Sequence, residues 1–163
     1  MSAKIWPILT FLLFAAIGYG AREAIGSVYG AAEARDLLEA LSRAGLYLGS
    51  ATATASATTL ALMLTLIGML RKLDTDFDKE TYRRVTLIAS LATASLMMSL
   101  LVLLAFVLPV GEFDELPTGW YTMLYEVLFA GAVIMVGLLA ATVMVTYLTV
   151  RRVVGQITPG EDV

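Results

Sequence analysis

Polar and charged residues divide the chain into four long apolar blocks, at about 5–25, 44–70, 85–110 and 121–150. A membrane-spanning helix needs about 20 predominantly apolar residues. The first block reaches that length only by running past Arg22 and Glu23, and the fourth is long enough to project beyond a bilayer. Between the first two blocks, 31–43 has helical periodicity. Ala34, Leu37, Leu38 and Leu41 share one face, and Glu33, Asp36, Glu39 and Ser42 fall elsewhere. The pattern predicts an all-α integral membrane protein, a four-transmembrane-helix bundle in one domain over 1–163. A short outer amphipathic helix is expected between helices one and two, with a plain helical extension as the other reading.

The second block contains an unusual run. Residues 49–59 read GSATATASATT, with no side chain larger than threonine. Alternation of alanine with serine or threonine resembles strand patterning, but the apolar flanks are too long and an open sheet cannot span a membrane. Wound as a helix, the run resolves into stripes. Gly45, Gly49, Ala53, Ala57 and Ala61 recur every four residues as a small-residue ridge. Ser50, Thr54, Thr58 and Thr65 form a hydroxyl stripe on one flank, and Thr52, Ser56 and Thr59 form a second on the other. Such ridges pack membrane helices closely, with hydroxyls bonding back to carbonyls one turn earlier. One hydroxyl stripe is also a candidate lining for a hydrated path. The third block repeats the theme weakly: Thr86, Ser90 and Thr93 share one face, and Ala92, Ser95 and Ser99 the opposite one. Met97 and Met98 suit packing.

Composition agrees with the pattern. The chain is 59% apolar and 15% charged, against about 25% charged in a soluble domain. Histidine and cysteine are both absent. That removes disulfides, imidazole or thiolate metal sites, Ser-His-Asp chemistry and a histidine pH switch. No enzyme activity, catalytic residue, metal site or cofactor is expected. Lys4 followed by an apolar stretch and small residues imitates a signal peptide, but the segment reads as a first membrane helix.

Charge then orients the spans. The connection 71–84, RKLDTDFDKETYRR, holds five basic residues, and Lys4, Arg151 and Arg152 bring that side to eight of the eleven. The connection 111–119, GEFDELPTG, holds three acids and no base. The positive-inside rule places both termini and 71–84 in the cytoplasm. On the outer side, eight acids then stand against Arg22, Arg35 and Arg43, a net charge of −5. Trp120, Tyr121 and Tyr125 suit the outer interface, and Trp6 and Tyr147 the inner one. A bacterial inner membrane is the expected location.

Two further features bear on chemistry. Glu126 is the ionisable residue clearly inside a span, on a face shared with Thr122, Ala130, Val133, Gly137 and Ala141. An intramembrane carboxylate is a functional candidate, although six residues beyond Trp120 it also suits an interfacial pair with Arg22 or Arg43. Asp74, Asp76 and Asp78 imitate the start of a calcium loop, but the sixth and twelfth positions hold Lys79 and Val85, where an EF-hand needs glycine and glutamate. Thr75 and Asp78 fit a helix capping box instead.

Together these features favour a homo-oligomeric channel or transport pathway for cations. Ser50, Thr54, Thr58, Thr65 and Glu126 are its pathway candidates. Gly45, Gly49, Ala53, Ala57, Ala61, Gly137 and Ala141 form the packing ridge. The alternative is a non-conducting scaffold or accessory subunit packed against another membrane protein. The expected partners are the lipid bilayer and copies of the chain, with no nucleic acid.

Overall fold

A computed structural model describes residues 5–25, 31–70, 79–107 and 118–157. All four segments are helices: α1 (Ile5–Ile25), α2 (Ala31–Leu70), α3 (Lys79–Val107) and α4 (Thr118–Ile157). Each contains a stretch long and apolar enough to cross a membrane, namely Ile5–Ala24, Asp36–Gly68, Tyr82–Val107 and Trp120–Arg152. The acids at 74–78 and the acidic connection at 111–117 lie outside the described residues.

The expected separate outer helix is not formed. Residues 31–43 are the first turns of α2, which runs unbroken to Leu70. Packing accounts for this. Leu38 is buried with Val102, Phe106, Tyr125 and Leu128, and Leu37 and Leu41 pack on that cluster. The apolar face read as amphipathic is therefore held by α3 and α4. At 1.5 Å per residue, the 40 residues of α2 extend about 60 Å, roughly twice the hydrocarbon core.

Helices α2, α3 and α4 all pack on one another, whereas α1 packs chiefly on α4. The core is thus a three-helix unit with α1 on its flank. Its seam follows a heptad. Val85, Ile88, Ala92, Ser95, Ser99, Val102 and Phe106 of α3 are buried at alternating steps of three and four residues. On α2, Leu38, Gly45 and Thr52 recur every seven residues, as do Gly49 and Ser56. This spacing keeps one stripe facing its neighbours along a helix pair.

The interior is made largely of small residues, while large apolar side chains such as Leu12, Leu13, Leu64, Leu101 and Leu104 point outward. Lipid tails solvate those outer side chains, and small residues inside let the backbones approach. Gly45 faces the Phe106 ring and Gly49 faces Leu103, which sets α2 and α3 antiparallel. Gly131 faces Val102 and Met98 across the α3–α4 seam.

Charged pairs close both ends of the bundle. At one end, Arg152 Nη1 of α4 and Arg84 Nη2 of α3 reach Glu80 Oε1 at 2.7 and 3.0 Å. The Arg152 hydrogen bond, then that of Arg84, holds the Glu80 carboxyl down at about 2, from a usual 4.5. Its folded value is depressed, so the contribution to stability is whole above about pH 4.5 and disappears as pH falls towards 2. Thermal unfolding of the wild type should therefore drop more steeply over that window than unfolding of Glu80→Gln. Because Glu80 is exposed, the difference should be small and should shrink in high salt.

Candidate functional site

The small-residue ridge divides along its length. Gly45 and Gly49 are buried against α3, Ala53 is half-buried, and Ala57 and Ala61 are exposed. A step of four residues turns a helix by about 400°, so an every-fourth ridge drifts about 40° per step. From Gly45 to Ala61 the drift is about 160°. One end of the ridge is inside the bundle and the other end is outside it.

The two hydroxyl stripes separate just as clearly. Thr52 and Ser56 are buried and Thr59 is half-buried, so this flank faces the core. Ser50, Thr54, Thr58 and Thr65 are all exposed on the far side of α2. Thr54 donates to the Ser50 carbonyl at 2.9 Å, Thr58 to the Thr54 carbonyl at 2.8 Å and Thr65 to the Ala61 carbonyl at 3.0 Å. Back-bonding commits each hydroxyl hydrogen to the helix and leaves oxygen lone pairs facing outward. Helix α3 sorts in the same way: Thr86, Ser90 and Thr93 are exposed, while Ala92, Ser95 and Ser99 are buried.

Glu126 belongs to a different place. It lies on the α1–α4 seam, where Arg22 Nη2 donates to its Oε1 at 2.5 Å. The two side chains are 46% and 49% exposed, so neither charge is sealed from the surroundings. Arg43, the other basic candidate, pairs with Glu39 one turn away on α2. Further along the α1–α4 seam, Gly18 faces Val133 and Gly137 faces Phe11. Ala141 is buried one turn beyond Gly137. The face that is exposed at Glu126 is buried by Gly137, where Phe11 of α1 covers it.

The pathway candidates thus fall into two groups. The α2 hydroxyls form one continuous outward stripe, and Glu126 is held by α1. Sequence patterning did not nominate a third set, the buried hydroxyls Ser95, Ser99, Thr142 and Thr149. Ser95 and Ser99 were already visible as companions of Ala92, and the three-four spacing through Val102 and Phe106 is the signal that marks their face as the inner one. Thr142 and Thr149 lie seven residues apart on α4 and continue a buried series through Leu128 and Met135. Among the described residues, no group of three or more carboxylates is placed to hold a metal ion. Comparison with protein-family models, curated proteins and solved structures found no match.

Proposed function

We propose that the chain is a subunit of a homo-oligomeric membrane assembly in which the uncovered faces of α2 meet around an axis and line a path for cations. The observation behind this reading is the outward stripe of Ser50, Thr54, Thr58 and Thr65, with the three threonine hydroxyl hydrogens bonded back to the helix. Oxygen lone pairs presented in series replace part of a cation's hydration shell without a buried charge. A three-helix core with a flanking α1 has little room for both packing and a pore, and symmetry supplies the missing cavity. The acidic balance of the outer side under the positive-inside reading favours cations at the mouth. Glu126, neutralised by Arg22, serves in this proposal as a fastening for α1 near that mouth. No catalytic role is assigned, and a bacterial inner membrane remains the proposed location.

The test is cation flux through purified protein in liposomes, together with the mass of the detergent-extracted assembly. Thr58→Val keeps the side-chain shape and removes the oxygen, so flux should fall severalfold while the assembly persists. Absence of flux, or flux unaltered in Thr54→Val/Thr58→Val, overturns the pathway.

A scaffold role is the second reading, favoured by exposed Ala57 and Ala61 beside these threonines. Small residues on an uncovered membrane face are a packing surface for another helix. This reading predicts a co-purifying membrane protein that is lost in Ala57→Leu, in place of a discrete homo-oligomer.

A further inference from the structure

Ser56 carries a polar atom that packing does not explain. Its side chain is fully buried, and its Oγ is, among the described residues, the buried side-chain oxygen with no hydrogen-bond partner. A buried hydroxyl loses its hydration on folding and requires a replacement. The α2–α3 register places this oxygen. Gly45 faces Phe106 and Gly49 faces Leu103. Counting residue for residue in the antiparallel sense from these two pairs brings Ser56 level with positions 95–96, of which Ser95 is the buried one.

Ser95 is also fully buried, and its Oγ reaches across to the Met135 carbonyl of α4 at 3.5 Å, a long bond. The next inner position of α3, Ser99, donates to the Ser95 carbonyl at 2.8 Å and is already satisfied. Ser56, Ser95 and Met135 each lie near the middle of their apolar span. On this register the three helices contribute to one layer an unpartnered hydroxyl from Ser56, and the weakly bonded Ser95 hydroxyl and Met135 carbonyl that already touch each other. One turn away on the same helices, Ala92 before Ser95 and Ala132 before Met135 are also buried small residues.

We propose that this layer binds one ordered water molecule, bridging Ser56 of α2 to Ser95 of α3 and the Met135 carbonyl of α4. Water is the chemistry that fits. It both donates and accepts, and Ser56 and Ser95 do the same. Three polar partners are the usual complement of a buried water. A metal cation fits poorly: every buried polar side chain among the described residues is a serine or threonine, so no carboxylate neutralises a charge in this layer. The bridge joins the three core helices where each is deepest in the membrane. It is independent of whether the outer face of α2 conducts ions.

Water-edited solid-state NMR of the full chain in lipid bilayers tests the site. The wild type should show transfer from slowly exchanging water to Ser56 and Ser95, with none to Ile88. In Ser56→Ala the transfer to Ser95 should fall severalfold. Absence of transfer to Ser56 and Ser95 in the wild type overturns the proposal, and that measurement needs no variant to fold. Transfer to Ser95 that persists in Ser56→Ala also overturns it, as does an equally strong signal running through Thr52 and Ser99, which would mean a continuous water column.

Discussion

Gly45→Val is expected to destabilise the bundle by about 2–3 kcal/mol, the upper part of the range for overpacked cores. A Cβ at position 45 falls within overlapping distance of the Phe106 ring. That ring is only 8% exposed and is packed with Leu38, Val102, Tyr125 and Leu128. It therefore cannot swing aside without disturbing the three-helix seam. Helix propensity works in the other direction, because glycine is about 0.8–1 kcal/mol worse than alanine in a helix interior and valine recovers only part of this. The overlap term exceeds that gain. Gly68 is the control. Nothing lies within 4 Å of its added Cβ, so Gly68→Ala should be neutral or stabilising by up to about 1 kcal/mol. Reversible unfolding in mixed micelles measures both. A second change, Phe106→Leu, should recover part of the Gly45→Val loss if the ring is the obstacle. Equal stability of Gly45→Val and wild type would show that the α2–α3 seam is looser than described.

The four helices were legible because length and apolarity are summed over many residues and tolerate local error. The small residues of 45–61 were legible as a packing signal for the same reason. Their direction was not. An every-fourth pattern and an every-seventh pattern share Gly45 and Gly49, and diverge only further along the helix. Ala53, Ala57 and Ala61 continue the first, while Thr52 and Ser56 continue the second. Burial follows the second, since a partner helix must be met along its whole length and only the heptad keeps pace with it. The start of α2 shows a different limit. Periodicity at 31–43 identified an apolar face around Leu38, but whether that face meets lipid or protein depends on where Phe106 and Leu128 lie. Glu126 shows a third: Arg22 and Arg43 were equal partners by composition, and only the packing of α1 on α4 distinguishes them.

The placement of α1 leads to the second large effect. Gly18→Val should release α1 from α4 and leave the three-helix core intact. The added Cβ would lie 2.5 Å from Val133 Cγ2 and 2.7 Å from its Cγ1. Valine in a helix has essentially one side-chain rotamer, so Val133 cannot turn away. By contrast, Gly137 faces the ring edge of Phe11 at 2.9 Å, and Phe11 is only half-buried, so Gly137→Ala should be milder. The Arg22–Glu126 pair cannot hold the helix alone. Both groups are about half exposed, and such pairs contribute about 0–1 kcal/mol, less than the roughly 1–3 kcal/mol of the overlap. Glu126→Gln should accordingly leave α1 docked. The chain has no cysteine, so Arg22→Cys with Glu126→Cys gives a clean cross-linking reporter. Cross-linking should be efficient in that background and should fall severalfold when Gly18→Val is added, while the unfolding transition of the core is retained. If cross-linking survived Gly18→Val, α1 would be held by contacts beyond the α4 seam. If the core unfolded with it, α1 would be a structural member of the bundle and not a flanking one.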